Sequence, residues 1–496
     1  MTLSQLDFLK KEMAFTSSIF LFVFFPLCLG GYYLAAGVER GVAALRRLRL
    51  PDLFLVCASM VFYAWAAFDG ALWLVGYVLL AFLLGRVIAG MPKGTPARLL
   101  AAGCSVLVVV LMLVYFKYYN FSATTVNRLF SLSIATRSIV APLGVSFITF
   151  SAVSYFADIS RGDAKPGSLL DTALYLTFFP KVISGPIARW KDFVPFVNEH
   201  ERRFDSALFL QGLNRIVIGF AKKLILADIF GALIAEIEGN LSVGMDQPTA
   251  WGVAFLYMLQ IYYDFSAYSD IAIGLSELFG IRMKENFNFP YLSRSITEFW
   301  RRWHISLGTW FREYLYIPLG GNRKGRGRTL LNLFAVFLVT GIWHGAGYNY
   351  ILWGAINGVM IVLERCVRDK GWYQKIPGLV KWAFTMFVVL MSWQVFRLES
   401  MSGIAQFFGI LFGAVEFPSV NFTWQYYFDA RIVVLMVIAT VGALALDGGW
   451  AKKVHAKIQS SAPLFCVAQL ALLLLMVLSV MFMVNSTYSP FIYFQY

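Results

Sequence analysis

Residues Phe299 to Asn322 read Phe-Trp-Arg-Arg-Trp-His-Ile-Ser-Leu-Gly-Thr-Trp-Phe-Arg-Glu-Tyr-Leu-Tyr-Ile-Pro-Leu-Gly-Gly-Asn, and a second polar segment, Ile342-Trp343-His344-Gly345, follows them. Together these segments hold two of the four histidines and a dense mix of arginine and tryptophan. The 496-residue chain is otherwise strongly apolar, with 59% hydrophobic and 14% charged residues and many apolar runs long enough to cross a bilayer. The sequence therefore predicts an all-α polytopic membrane protein with its polar chemistry concentrated in these segments.

The formal net charge of +14 comes from lysines and arginines in short loops between apolar runs. This is the positive-inside pattern of membrane proteins, so the charge indicates topology and contact with anionic lipid rather than binding of nucleic acid. The five cysteines lie in or beside apolar runs without C-x-x-C spacing. That distribution indicates neither a disulfide framework nor a metal site.

The apolar runs predict about 11 to 12 membrane-crossing helices in a single domain, residues 1–496. The basic loops after the first, third and fifth crossings are placed in the cytoplasm, which makes the N-terminus extracytoplasmic. The same register places the C-terminal tail outside. The predicted crossings are 18–36, 53–67, 71–90, 99–118, 140–158, 207–231, 249–279, 329–346, 351–365, 379–398, 431–447 and 463–484.

Two segments depart from simple crossings. Residues 171–187 have basic loops on both sides and contain Phe178-Phe179-Pro180-Lys181 and Ser184-Gly185-Pro186, which predicts a re-entrant hairpin lining a cavity. Residues 281–328 hold ten Lys or Arg against three Glu, together with many aromatic residues. This composition predicts a cytoplasmic segment made of short helices in the membrane interface.

His344 lies near the end of the apolar run from Thr329 to Trp343, within or close to the hydrocarbon zone. Ionisable residues at that depth are costly and usually face the interior of the helix bundle. A neutral imidazole there can act as a general base, and a hydrogen-bonded packing histidine is the alternative. Gly345 and Gly347 permit close approach of backbone or ligand.

The basic segment offers a second candidate site around His304. Arg301 and Arg302 can bind phosphate through paired hydrogen bonds, and Trp303 can stack on a base or pack against lipid. The segment is therefore a candidate site for a nucleotide-like substrate such as coenzyme A. An interfacial Trp/Arg anchor is the alternative.

Asp264 lies in a predicted crossing together with Gln260, Ser266 and Asp270. A carboxylate at that depth costs at least ~2.5 kcal/mol, so we expect it to bind substrate, orient a partner group or accept a structural hydrogen bond. The chain contains no G-x-x-x-x-G-K-[ST] loop, no G-x-S-x-G elbow and no H-E-x-x-H pair. An ATP-driven pump, a serine hydrolase and a metalloprotease are therefore excluded as interpretations.

Longer motifs follow one another along the chain: Asp264-Phe-Ser-Ala-Tyr-Ser-Asp-Ile-Ala-Ile-Gly-Leu, Glu285-Asn-Phe-Asn-Phe-Pro-Tyr, Arg294-Ser-Ile-Thr-Glu-Phe-Trp-Arg-Arg-Trp-His-Ile-Ser-Leu, Tyr316-Ile-Pro-Leu-Gly-Gly-Asn-Arg and Gly341-Ile-Trp-His-Gly-Ala. In this order they resemble the membrane-bound O-acyltransferase family, and specifically its bacterial alginate O-acetyltransferase branch. The resemblance covers nearly the whole chain, from Met13 to Tyr496.

The resemblance implies a bundle of membrane helices and re-entrant segments around a central tunnel, located in the bacterial inner membrane. It places the family's catalytic histidine at His344 and a second functional histidine at His304. Asn357 stands where relatives often have a histidine, which puts a role as base at this position in doubt and leaves hydrogen bonding. The residues expected to bind donor or substrate are Arg301, Arg302, Trp303, Asp264, Trp343 and Asn357.

The resemblance also implies an activity. An acetyl group would pass from cytoplasmic acetyl-coenzyme A, a substrate rather than a bound cofactor, across the membrane to an exported polysaccharide. The expected intermediary is a periplasmic or extracellular partner, an SGNH-hydrolase-like O-acetyltransferase. Transfer of D-alanine from a carrier-protein thioester is one alternative. A non-catalytic transporter or a scaffold of a polysaccharide-export complex is the other.

Overall fold

The protein is helical throughout the part that the computed structural model describes, which comprises residues 14–198, 202, 204–241, 244–445, 449–485 and 491. These residues contain no β-strand. Residues 1–13 and 492–496, at the termini predicted to be extracytoplasmic, lie outside the described part. In chain order the α-helices are α1 (Phe25–Gly41), α2 (Leu50–Ala66), α3 (Phe68–Gly90), α4 (Pro96–Phe130), α5 (Val145–Arg161), α6 (Leu169–Thr177), α7 (Phe179–Val182), α8 (Trp190–Asn198), α9 (Ser206–Ala221), α10 (Asp228–Gly239), α11 (Gln247–Leu278), α12 (Ile296–Arg302), α13 (Ile305–Phe311), α14 (Arg326–His344), α15 (Tyr348–Val367), α16 (Gly371–Lys375), α17 (Gly378–Arg397), α18 (Met401–Leu411), α19 (Trp424–Tyr427), α20 (Ala430–Ala445), α21 (Gly449–Ser460) and α22 (Ala462–Asn485).

Short stretches of other helical types join or extend these α-helices. π-Helical turns occur at Phe20–Phe24, Lys222–Ala227 and Arg312–Tyr316, and 3₁₀ turns occur at Ala43–Leu48 and Pro290–Leu292. With α12 and α13, two of these turns make the aromatic, basic segment a series of short helices, as its composition predicts.

Apolar helices dominate the described chain. Six helical stretches are long and apolar enough to cross a membrane, namely Phe20–Gly41, Phe68–Gly90, Pro96–Phe130, Tyr348–Val367, Gly378–Arg397 and Ala462–Asn485. Leu473, Leu474 and Val477 of α22 are exposed, and a row of such side chains is stable against lipid rather than water. The chain is therefore an all-α, multi-pass membrane protein, and each crossing predicted from the sequence contains a helix.

The chain divides into two compact units. Unit 1 comprises Met1–Ile216, Ser269–Lys284 and Met483–Pro490, and unit 2 comprises Val217–Tyr268, Glu285–Phe482 and Phe491–Tyr496. Both polar segments, and all the site residues predicted from the sequence, belong to unit 2.

In unit 1, the segment predicted to be re-entrant forms two short, buried helices, α6 and α7. The Ser168 hydroxyl accepts the Asp171 backbone N–H at 3.2 Å and the Asp171 carboxylate accepts that of Ser168 at 2.7 Å, so a capping box starts α6. Pro180 has no N–H to donate and fits best in the first turn of a helix. A new helix accordingly begins at Phe179.

In unit 2, α14 and α15 form a tightly packed antiparallel pair joined by residues 345–347. A Cβ atom at Gly341 would lie 2.3 Å from a backbone oxygen of α15, and one at Gly354 would lie 2.6 Å from a backbone oxygen of α14. Only glycine permits this approach, which is how small residues bring membrane helices together. The pairing places His344, at the end of α14, against Trp353 of α15.

Candidate active site

A cavity of about 960 Å³ lies in unit 2, and both histidines of the polar segments, His304 and His344, line it. Arg301 and Trp303 line the same cavity. Its volume is in the upper part of the range for small-molecule sites, roughly 300 to 1,000 Å³. The fold thus brings four of the residues predicted from the sequence into one space.

One face of α14 forms a wall of this cavity over nearly the whole length of the helix. At a rise of 1.5 Å per residue, the first and last lining residues of this face are about 22 Å apart along the axis. Spacings of three and four residues keep the set on one side of the helix. The cavity is therefore elongated, with His344 at one end. The α14 residues that line it are Thr329, Leu333, Val336, Phe337, Thr340 and His344.

The end of the cavity away from His344 is basic. Because α15 runs antiparallel to α14, Arg365 and Arg368 lie towards Thr329 rather than towards His344. The described lining residues include no carboxylate, so the site favours an anion. The cationic residues that line the cavity are Arg301, Arg312, Arg323, Lys324, Arg365 and Arg368.

His344 is buried in an aromatic cage. The centroid of its ring lies 4.7 Å from that of Trp343, 5.1 Å from that of Trp353 and 5.1 Å from that of Phe396. The planes of Trp353 and Phe396 are nearly perpendicular to the imidazole, at 89° and 88°. Packing on several sides fixes the orientation of the imidazole ring.

His304 occupies a strained turn between α12 and α13. Its φ of 47° is in the left-handed region, which costs a side chain with a Cβ free energy and persists where neighbours hold it. The N–H of Ile305 donates to the backbone oxygen of Asn286 at 2.9 Å, and the N–H of Asn288 donates to that of Arg302 at 2.9 Å. The 286–288 loop thus clamps the turn, and such strained residues cluster at functional sites.

The His304 ring is buried and borders the cavity. It packs edge-on against Phe265 with a centroid distance of 4.6 Å, and its Nδ1 lies 3.1 Å from Oδ1 of Asn286. Burial lowers the pKa of His304 to about 3. The imidazole is therefore neutral at physiological pH.

Arg302 and Asp264, both predicted to contact substrate, have structural partners and do not line the cavity. Arg302 Nε donates to Glu298 at 3.0 Å. Asp264 accepts a hydrogen bond from the buried ammonium of Lys223 at 2.8 Å, and Lys223 also pairs with Asp228 at 2.7 Å. The buried carboxylate of Asp264 is thus paired with a cation, as its desolvation demands.

Trp343 and Asn357 lie near the site without lining the cavity. Trp343 packs on His344, and the Asn357 side chain donates to the backbone oxygen of Trp353 at 2.9 Å. Trp343 thus helps to enclose the His344 ring, whereas the Asn357 side chain bonds within its own helix, α15.

Sequence reasoning did not identify Asn286, Arg365 or Arg368 as site residues. Asn286 was visible only as a polar position in the motif Glu285–Tyr291. Arg365 and Arg368 are three residues apart near the end of α15, a spacing that puts both on one helix face. Two arginines on one face near the end of a helix that follows His344 in the sequence are the pattern from which they could have been predicted.

Comparison with known proteins gives consistent similarities. The model of MBOAT, the membrane-bound O-acyltransferase family, matches residues 106–405, a range that includes both histidines of the cavity. The chain is 36% identical to the probable alginate O-acetylase AlgI of Pseudomonas putida, over 98% of this chain and 100% of that protein. It is 30% identical to the peptidoglycan O-acetyltransferase of Helicobacter pylori, over 78% of each chain. It is 32% identical to the teichoic acid D-alanyltransferase of Streptococcus thermophilus, over 46% of this chain and 58% of that protein.

Proposed function

Because this chain belongs to the membrane-bound O-acyltransferase family, we propose that it moves an acetyl group from cytoplasmic acetyl-coenzyme A across the bacterial inner membrane for O-acetylation of an exported polysaccharide. Members of the family are acyltransferases, so the chain is an enzyme. This argues against the two alternatives considered from the sequence, a non-catalytic transporter and a scaffold. The single observation that carries the proposal is the cavity that extends from a basic end to His344.

The charge of the cavity supports an anionic donor. Coenzyme A carries several phosphate charges at one end and its thioester at the other, joined by the extended pantetheine arm. Arg365, Arg368 and the other cations bind the phosphates, while the apolar face of α14 accommodates the arm. Arg301 is part of this set, whereas Arg302 is paired with Glu298. The donor thus enters from the basic side, which the positive-inside rule places in the cytoplasm.

The two histidines have different roles in this proposal. His344, held in its aromatic cage, takes the proton of the acceptor hydroxyl as the hydroxyl oxygen attacks the thioester carbonyl. The C–S bond of the thioester then breaks, and the departing coenzyme A thiolate takes that proton from His344 and leaves as the free thiol. The alternative is that His344 carries the acyl group itself for a time. His304 positions the donor, because its buried and neutral ring lines the same cavity.

The proposed acceptor is inferred from the names of similar proteins. Proteins of similar sequence are named for O-acetylation of alginate and of peptidoglycan, so a polysaccharide is the proposed final acceptor here. We expect an SGNH-hydrolase-like O-acetyltransferase on the outer side to receive the acetyl group and pass it on. The C-terminal tail 488–496 is the proposed docking element, and apart from Phe491 it lies outside the described residues.

Transfer of D-alanine from a carrier protein is the second candidate, because the chain is also similar to a teichoic acid D-alanyltransferase. Its donor would present the same phosphopantetheine arm to the same basic cavity. The similarity to the alginate O-acetylases covers the full chain and that to the D-alanyltransferase covers half of it, which favours the acetyl donor.

The test is substitution of His344. His344→Ala removes the proposed base, and acetylation should fall about 1,000-fold, within the usual range for loss of a general base. The measurement is the acetyl content of polymer from a strain that carries only the variant gene. Thr385→Val serves as the control, because Thr385 is buried in α17 and does not line the cavity. Wild-type acetylation by a normally inserted His344→Ala protein would refute the assignment.

A further inference from the structure

Asn286 makes an unusual number of contacts with the turn that carries His304. It is fully buried in the loop that follows α11. Its side-chain Oδ1 lies 3.1 Å from His304 Nδ1, 3.2 Å from the backbone N of Ser306 and 2.8 Å from the Ser306 hydroxyl. Its backbone oxygen accepts the N–H of Ile305 at 2.9 Å. One residue thus holds three consecutive residues of the turn.

These contacts decide which atom of the amide faces the histidine. A backbone N–H can only donate, so the amide atom that faces the N–H of Ser306 must be the oxygen. An amide oxygen carries no hydrogen, so the His304 Nδ1 beside it must carry the proton. Because the ring is neutral, Nε2 then holds the lone pair.

The backbone conformation and the packing of His304 restrict its ring to this orientation. His304 is held at a left-handed φ of 47° by the bond from Ile305 to Asn286, and its ring stands at 82° to that of Phe265. A rotated ring would present a carbon to the Asn286 oxygen and lose the hydrogen bond. Asn286 therefore fixes both the place of the imidazole and its tautomer.

From this geometry we propose that Asn286 is a positioning residue that holds His304 as the Nδ1–H tautomer, so that Nε2 accepts a hydrogen bond from the acyl donor. The inference rests on the proposed function, in that the donor occupies this cavity. An acceptor nitrogen binds an amide N–H of the pantetheine arm and cannot donate to the thioester carbonyl oxygen. His304 therefore orients the donor without exchanging a proton, and His344 handles the proton of the acceptor hydroxyl.

The tautomer is directly measurable, because the chain has only four histidines. Protein labelled with ¹⁵N-histidine gives a protonated and an unprotonated nitrogen signal for each neutral ring, and His304→Gln identifies the signals of His304. We expect wild-type protein in detergent micelles or nanodiscs to show His304 with protonated Nδ1. A wild-type His304 with protonated Nε2 overturns the proposal without any mutation at Asn286.

Substitutions at Asn286 test the functional consequence. Asn286→Leu removes the oxygen, so the His304 signals should change tautomer and the KM for acetyl-coenzyme A should rise about 10-fold to 100-fold, as for loss of other groups that orient a site histidine. Asn286→Asp keeps an oxygen acceptor at the same place, and should keep protonated Nδ1 and recover most of the donor affinity. Asn288→Leu, two residues along the same loop and exposed, is the matched control and should leave both readouts unchanged.

The results distinguish failure of the role proposed for Asn286 from failure of the proposed acyl donor. An Asn286→Leu protein that is folded, with the His304 tautomer changed and KM unchanged, overturns the role assigned to Asn286. If Asn286→Leu does not fold, loss of protonated Nδ1 in Asn286→Asp overturns it instead. Failure of wild-type membranes to consume acetyl-coenzyme A refutes the proposed donor, while the nitrogen signals still report on the tautomer.

Discussion

In the proposed mechanism, His304 and His344 take two different roles because their surroundings differ. His344 is held by aromatic rings at the end of a long helix, whereas His304 sits in a strained turn and is held by a hydrogen bond to the side-chain oxygen of Asn286. The sequence alone marks both as unusual. In this proposal, only their neighbours distinguish the proton acceptor at one end of the cavity from the group that orients the donor.

Burial of His304 has a consequence for stability. Because burial lowers its pKa to about 3 while an unfolded histidine titrates near 6.5, the unfolded state binds an extra proton between these values. Stability is therefore lost as the pH falls below about 6.5, by about 2 kcal/mol at pH 5 from this residue alone. Thermal unfolding in detergent from pH 7.5 to 5 should show a shallower loss of stability for His304→Gln than for wild type. Parallel profiles for the two proteins would contradict the burial of a neutral His304.

At the scale of elements, the α14–α15 pair organises the site. Glycines at the crossing allow the two backbones to touch, and this contact sets the distance between His344 and Trp353. The short connection at 345–347 makes the pair antiparallel, which carries Arg365 and Arg368 to the end of the cavity opposite His344. The α14–α15 pair thus sets the length of the cavity and places its basic end opposite His344.

Two matched substitutions, Gly354→Ala at this contact and Gly37→Ala away from it, test the close packing of α14 and α15. Gly354→Ala places a Cβ 2.6 Å from the backbone oxygen of Phe337, so α14 and α15 must separate, at a cost of about 1 to 3 kcal/mol. We expect a lower unfolding temperature and reduced acetyl transfer. Gly37→Ala adds the same atom to α1, where no other atom lies within 4 Å, and should leave stability equal or slightly higher. Equal unfolding temperatures for the two variants would argue against close packing at Gly354.

At the scale of the whole molecule, the protein is a membrane-spanning enzyme whose cavity is basic at one end. In the topology that we propose, the asymmetry of lysines and arginines along the chain orients the protein, and the basic end of the cavity belongs to the cytoplasmic side. The donor and the final acceptor are then approached from opposite faces of the bilayer.

Chemical labelling tests this orientation. A cysteine introduced as Arg365→Cys, in a protein with its five native cysteines replaced by serine, should react with a membrane-impermeant maleimide in inside-out vesicles and not in intact spheroplasts. Acetyl-coenzyme A should slow the reaction, because it occupies the basic end of the cavity. Lys93→Cys, in the exposed loop between α3 and α4 that the sequence places in the cytoplasm, is the control outside the cavity and should be labelled from the same side at a rate that acetyl-coenzyme A does not change. Labelling of Arg365→Cys from the outer face only would overturn the proposed topology.

The sequence by itself determined the helical class, the multi-pass membrane character and the family, and it marked the two histidines that line the cavity. These depend on apolar run length, loop charge and motifs, all of which are local properties of the chain. Arg302 and Asp264, predicted from the sequence to bind substrate, have ion-pair partners in the structure.

Only the tertiary structure decided which side chains share the cavity. Arg365 lies far from His304 in the chain, and an antiparallel helix pair brings it to the same space. Asn286 acts on His304 through an oxygen whose direction depends on three hydrogen bonds across a strained turn. Contacts of this kind join distant residues at sub-ångström precision, and no local pattern of apolar, charged or aromatic residues encodes them.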